Sequence, residues 1–153
     1  MANTYTKLYI QYVFAVLHRE RLVQESFREE LQKYLAGIVR NKRHKLLSVY
    51  CMPDHTHIFI GLNPVQSISS LANDLKSNSS NWINSNNLSK LHFHWQEGFG
   101  AFSYHKDLVP VVGNYIDNQK EHHAKKSFRD EYLDMLREFD VEYDERYLFE
   151  FFD

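Results

Sequence analysis

Cysteine occurs once in the 153 residues, at Cys51, so no disulfide can form within the chain and a zinc finger built on cysteines is excluded. Glycine is scarce at five residues, which leaves little scope for phosphate-cradling loops, and no Walker loop, GxSxG, HExxH or Rossmann glycine pattern is present. No apolar run approaches the ~18 residues of a membrane span. Residues 1–7 hold no apolar stretch of the kind a signal peptide has. Neither charge dominates, since 18 Lys and Arg face 20 Asp and Glu. A secreted disulfide scaffold and a membrane protein are therefore set aside, and the expected compartment is the reducing cytoplasm. At ~100–200 residues per domain the chain reads as one domain, residues 1–153, long enough to bury ~68–70% of its extended surface.

The near-neutral sum hides an asymmetry. Residues 1–45 carry nine basic and four acidic side chains, residues 46–127 carry six of each, and residues 128–153 carry three basic and ten acidic ones. Without that acidic segment the body is basic enough for phosphate contact. Arg40, Lys42 and Arg43 are candidates, although cations at a helix C-terminus are also expected on dipole grounds alone.

Hydrophobic periodicity orders the elements. Residues 7–17 alternate, with Leu8, Ile10, Tyr12, Phe14 and Val16 on one face and a second face apolar enough for an inner strand. From about Ser26 to Lys42 the period becomes helical. Leu46–Met52 and residues 55–62, separated by Pro53-Asp54, read as a hairpin. Asn63, Pro64 and Gln66 resemble a capping box for a helix carrying Ile68, Leu71, Leu75, Ser79 and Trp82. His92–Trp95 and Phe99–Tyr104 read as strand broken near Gly98. Asp107 is placed to cap a helix running to about His123, and Ser127 with Asp130 to cap a last one. The final ten residues give no assignment. The order β-α-β-β-α-β with further helices fits an α+β fold, a ferredoxin-like or RRM-like antiparallel sheet packed with helices and extended by C-terminal ones.

His55 and His57 stand at i and i+2 on a strand, so both project from one face with Cα atoms ~6.5–7 Å apart and can converge on one divalent ion. Thr56 faces the other way. Phe59 and Gly61 continue the histidine face, which leaves room beside it. Taken alone, the pattern is weak and more often describes two exposed or stacked histidines on a half-buried strand. Tyr115 and Gln119 are one helical turn apart, with Val112 and Ile116 forming a separate apolar stripe. A tyrosine can serve as a covalent nucleophile once its phenolate is stabilised, but Tyr and Gln at this spacing are also an ordinary solvated pair. His92 and His94 form a competing HxH. His122 and His123 read as a helix C-terminus, and Cys51 as core.

Three segments in order, Met52-Pro53-Asp54-His55-Thr56-His57-Ile58-Phe59-Ile60, Trp95 to Ser103, and Tyr115-Ile116-Asp117-Asn118-Gln119 followed by Glu121-His122-His123, resemble the single-tyrosine HUH transposases of the IS200/IS605 type, including their relatives associated with repeated palindromes. The resemblance covers about residues 7–137 and leaves the acidic segment, about 128–153, outside the motifs. It implies a ferredoxin-like core, His55, His57 and Gln119 as ligands of Mg²⁺ or Mn²⁺, and Tyr115 as the nucleophile. It further implies cleavage and rejoining of single-stranded DNA beside a hairpin through a 5′-phosphotyrosine, with no nucleotide cofactor, by a homodimer. Thr56 departs from the bulky apolar residue usual between the two histidines; its methyl can pack and its hydroxyl can bond to backbone. Asn73, Lys76 and Ser77, on the polar side of the second helix, are candidate DNA contacts together with Arg40, Lys42 and Arg43. Two other readings make different predictions. A zinc hydrolase using His55, His57 and a further histidine such as His92 or His94 would bind zinc tightly and have no use for Tyr115. A non-catalytic RRM-like nucleic-acid module would bind without either.

Overall fold

The computed structural model describes residues 3–18 and 22–152. Four strands, β1 (Tyr9–Ala15), β2 (Lys45–Cys51), β3 (His55–Gly61) and β4 (Gly100–Tyr104), form one antiparallel sheet in the order β2-β3-β1-β4. Helices α1 (Glu25–Asn41) and α2 (Ile68–Ser85) connect them as in a split βαβ unit, and α3 (Val109–Asp117), α4 (Gln119–His123) and α5 (Phe128–Glu138) follow β4. This is the expected α+β architecture. Among the described residues no helix is long and apolar enough to cross a membrane.

The alternation in β1 explains the layers. Ile10, Tyr12, Phe14 and Val16 pack with Phe27, Leu31 and Leu35 of α1 and Leu71 and Leu75 of α2. Trimming one of these side chains to alanine costs about 2–5 kcal/mol. Tyr12 carries its hydroxyl into this layer and donates to the Ile68 carbonyl at 2.7 Å, at the start of α2. The second face of β1 carries Val13 and Ala15, which pack with Phe102 of β4, Phe128, Tyr132, Met135 and Leu136 of α5, and Phe149 of the tail. The sheet is therefore covered on both sides at its centre, which is why β1 is apolar on both faces.

The acidic C-terminal segment is built into this second layer. Gln96 grips the tail by accepting from the Glu150 N–H at 2.7 Å and donating to the Glu150 carbonyl at 2.8 Å. Seating α5 also demands a small residue on β4: a Cβ on Gly100 would lie 2.8 Å from the Tyr132 ring. The last helix begins as expected, with the Ser127 hydroxyl accepting from the Asp130 N–H at 3.1 Å.

Three local expectations are corrected. Asn63 does not cap α2. Its side chain accepts from the Val65 N–H in a tight turn, and Ser67 caps the helix by accepting from the Ser70 N–H at 3.0 Å. Gln66 cannot fold back on Asn63, because its side chain bridges His44 and Asp74, each at 2.7 Å, while the Asn63 N–H donates to His44 Nδ1. Residues 92–95 are not a strand. The Asn84 side chain takes both the N–H and the carbonyl of Phe93, leaving an isolated bridge between Val16 and Trp95. The helix expected from Asp107 to His123 is divided at Asn118 (φ −105°, ψ 24°), whose amide donates back to the Asn114 carbonyl at 2.8 Å and competes for that acceptor. A short 3₁₀ turn precedes α3, capped by His105 rather than Asp107, since the His105 ring accepts from the Asp107 N–H.

Candidate active site

β3 supplies two histidines to the face covered by α3, α4 and α5. His55 and His57 project together with ring centroids 5.0 Å apart, and both are fully buried. The space expected beside them is filled, because Phe59 is buried under Val112 and Ile116 of α3. Phe128 of α5 stacks on His55 with centroids 3.9 Å apart and planes 2° from parallel.

The break at Asn118 places Tyr115 at the end of α3 and Gln119 at the start of α4, and both turn toward the histidines. His55 Nε2 lies 3.2 Å from Gln119 Oε1. The Tyr115 ring stands edge-on to His57 at 6.4 Å between centroids. The four residues proposed from the sequence for the metal and the nucleophile thus meet within one chain. Two further groups join them. His123 Nε2 is 2.9 Å from Gln119 Oε1, and the Glu131 carboxylate of α5 sits among all of them. Glu131 Oε1 lies 3.0, 3.2 and 3.5 Å from the Nε2 atoms of His57, His123 and His55. Its other oxygen, Oε2, accepts from the Tyr115 hydroxyl and from Gln119 Nε2.

The outer nitrogens of the three rings are all engaged with acceptors. His57 Nδ1 donates to Gln11 Oε1 at 2.6 Å, His55 Nδ1 to Asp54 Oδ1 at 2.7 Å, and His123 Nδ1 to the Lys126 carbonyl at 2.7 Å. Each neutral ring then turns its Nε2 lone pair inward, toward two acceptor oxygens. Three ring nitrogens, one carboxylate oxygen and one amide oxygen facing a common point could hold a divalent cation, with backing groups of the kind that orient metal-ligating histidines. The ligating atoms of His55, His57, His123 and Glu131 all lie within 4.8 Å of one another, so the residues present fit a single ion.

Electrostatics agree. Burial opposes ionisation of Glu131, yet the charge on His57 and the hydrogen bonds of His123, His55 and His57 hold its carboxyl far below the usual carboxylate range. Burial disfavours charge on His55, but Asp54 and Glu131 outweigh it and raise its pKa to about 9. Burial keeps His57 below its ordinary value despite the pull of Glu131. Burial, then the Glu131 charge, push the Tyr115 phenol above its ordinary value, so its phenolate needs compensating positive charge. A cleft of about 390 Å³ opens beside Tyr115 between α3 and α5, lined by Gln11, Tyr104, Val112, Tyr115, Glu131 and Lys126 among others.

The family model of IS200-like transposases matches residues 4–119. The chain belongs to that family. As an HUH-type transposase it carries the histidine pair on an inner strand and the tyrosine on the helix after β4. Solved structures agree in fold. A protein from Deinococcus radiodurans R1, provisionally named as a transposase, is 20% identical over 76% of this chain and 94% of its own, with a TM-score of 0.62. A REP-associated tyrosine transposase bound to a REP hairpin is 14% identical over 79% of this chain and 72% of its own, with a TM-score of 0.58. No curated protein matches the chain.

The other residues singled out in the sequence lie away from this centre. Arg40, Lys42 and Arg43 are exposed at the C-terminal end of α1, where Lys42 pairs with Asp74 at 3.6 Å. Asn73 and Ser77 are exposed on α2 and bonded to each other, the Ser77 hydroxyl donating to the Asn73 carbonyl. Lys76 is committed to the Gln96 and Gly98 carbonyls, at 2.7 Å each. His92 and His94 are exposed, set edge to face with each other, and are not among the residues whose donor atoms cluster with His55 and His57, so neither is the third ligand offered by the hydrolase reading. Thr56 packs as expected, but its hydroxyl has no hydrogen-bonded backbone partner; its polar neighbour is the Cys51 thiol, opposite it in register.

Glu131, His123, Asp54 and Gln11 were missed. Glu131 had a signal: on α5 it shares the apolar stripe of Phe128, Tyr132 and Met135, where a charge is expected only if it is paired. Gln11 had a similar one, as a polar side chain in an otherwise apolar strand.

Proposed function

We propose that this transposase cuts and rejoins single-stranded DNA beside a hairpin, with Tyr115 as the nucleophile. The observation that carries the reading is the meeting of the Tyr115 hydroxyl with His55, His57 and Gln119 around one carboxylate, at the foot of an open cleft.

A DNA strand entering the cleft presents a backbone phosphate to Tyr115. The Tyr115 oxygen bonds to phosphorus while its proton passes to Glu131 Oε2, which already accepts it. The bond from phosphorus to the 3′ oxygen breaks, and that oxygen is protonated from solvent. The products are a 5′-phosphotyrosine and a free 3′-hydroxyl. A 3′-hydroxyl of another strand end then attacks the same phosphorus and loses its proton to solvent, the bond from phosphorus to the Tyr115 oxygen breaks, and Glu131 returns the proton to Tyr115. The phosphodiester is exchanged rather than hydrolysed, so no nucleotide cofactor is consumed. His55 Nε2, His57 Nε2 and Gln119 Oε1 would hold Mg²⁺ or Mn²⁺, which when bound would supply positive charge to the phenolate and the crowded phosphate.

For the hairpin backbone the proposed contacts are Arg40, Lys42 and Arg43, with Asn73 and Ser77 beside them on the same helical layer; Lys76 serves the loop carbonyls instead. In the proposed homodimer each chain brings a complete site, since Tyr115 reaches the histidines of its own chain.

Labelled single-stranded oligonucleotides covering the two flanks of this protein's own gene, incubated with protein and Mn²⁺ or Mg²⁺, test the reading. An adduct that survives SDS and is lost in Tyr115→Phe and His57→Ala is expected. DNA binding without any adduct from the wild-type protein would replace the transposase chemistry with a binding role.

A further inference from the structure

The centre contains more donors than the histidine pair and Gln119, and the extra carboxylate comes from beyond residues 4–119, the part matched by the family. We propose that Glu131 is a metal ligand of this transposase and the tether of its nucleophile: Oε1 completes the donor set, and Oε2 holds the Tyr115 hydroxyl beside it. The inference rests on the reading of His55, His57 and Tyr115 given above.

Hydrogen-bond accounting carries it. Glu131 Oε2 receives two donors, the Tyr115 O–H and the Gln119 N–H. Oε1 instead faces three ring Nε2 atoms at 3.0, 3.2 and 3.5 Å, whose rings are held from behind by Nδ1 donating to Gln11, Asp54 and Lys126, so that an ion at this point takes the place of any Nε2 proton. Gln119 is fixed in the same sense: its N–H is spent on Glu131, so its oxygen faces His55 and His123. A carboxylate 2% exposed whose free oxygen converges with three inward-turned ring nitrogens is the geometry a cation would complete. One cation at the common point satisfies all five atoms.

The resulting set has three imidazole nitrogens, one carboxylate oxygen and one amide oxygen. So many nitrogen donors suit Mn²⁺ better than Mg²⁺, which prefers oxygen and retains its water. Glu131 also couples binding to positioning, because the oxygens of one carboxylate cannot move independently. When Oε1 is fixed by an ion, the Tyr115 hydroxyl is fixed within reach of the same charge.

The test is Mn²⁺ titration of the full-length, chelator-stripped protein, reading free Mn²⁺ by electron paramagnetic resonance. Glu131→Gln keeps the shape and is expected to weaken binding at least about tenfold, the scale on which metal-site partners act. Glu131→Asp is expected to recover part of the loss, and Tyr115→Phe to leave affinity unchanged. Glu131→Gln binding Mn²⁺ as tightly as wild type, or more tightly, would overturn the proposal and make the carboxylate a competitor for the ion's place. Should Glu131→Gln not fold, wild-type protein labelled with ¹³C at its glutamate carboxyls decides: a hyperfine coupling between Mn²⁺ and ¹³C is expected, and its absence overturns the assignment. Failure of the nucleophile reading looks different, as a wild-type protein that binds Mn²⁺ normally and forms no adduct with DNA.

Discussion

Gln11 on β1 holds His57 on the neighbouring strand: its amide oxygen accepts from His57 Nδ1 at 2.6 Å while its amide nitrogen donates to the Tyr104 hydroxyl at 2.7 Å. One buried amide thereby fixes which ring nitrogen of His57 faces the centre. Gln11→Leu preserves the volume and removes that control. Metal affinity is expected to fall about 10–100-fold, as for other partners behind a ligating histidine. Calorimetric Mn²⁺ titration of the variant checks this, with the far-UV spectrum confirming the fold.

Thr56 offers a contrast on the other face of β3. Its hydroxyl is buried without a hydrogen-bond partner, close to the Cys51 thiol. Valine has nearly the same shape and no polar group to bury. Thr56→Val is therefore expected to leave stability unchanged or raise it by about 1 kcal/mol. Urea unfolding measures the shift; a loss of stability would show that the hydroxyl has a partner after all.

Proton linkage sets the pH dependence of metal binding. In the metal-free protein His55 titrates at about 9, so it carries a proton at neutral pH that a metal must displace. Affinity is expected to rise with pH up to about 9, with a proton released on binding at pH 7. The linkage to folding runs the other way for the metal-free chain. A pKa raised above the unfolded value of ~6.5 gives stability that is present below ~6.5 and lost as pH rises through 9. Titrations in two buffers of different ionisation heat count the proton, and thermal melts with and without Mn²⁺ across this range show the opposite slopes.

The arrangement within one chain makes a further prediction. Tyr115 and His57 meet in the same chain, so mixing Tyr115→Phe with His57→Ala is expected to give no more adduct than either alone. Restored adduct formation would mean that the tyrosine is exchanged between chains.

Much of this was legible because local chemistry decided it. The apolar second face of β1 pointed to an inner strand, and β1 lies between β3 and β4; the i, i+2 spacing put His55 and His57 on one face, and Ser127 capped α5 as its position implied. The misreadings occurred where distant partners intervened. Asn63 and Gln66 have the residue types of a capping box, but His44, remote in sequence, and Asp74, two turns into α2, claim their polar groups. Asn84 takes the backbone of Phe93 out of strand pairing. Glu131 was hidden in a different way. Summing charge over 128–153 treated it as one of ten solvated acids, although its place on the apolar stripe of α5 marked it as buried and paired.

The most direct measurement isolates the SDS-resistant adduct, digests both partners and sequences the modified peptide by mass spectrometry. The chain has ten tyrosines, so the assignment is informative. A nucleotide joined through its 5′-phosphate to Tyr115 is the predicted result. Attachment to any other tyrosine, or through a 3′-phosphate, would contradict the account of this centre.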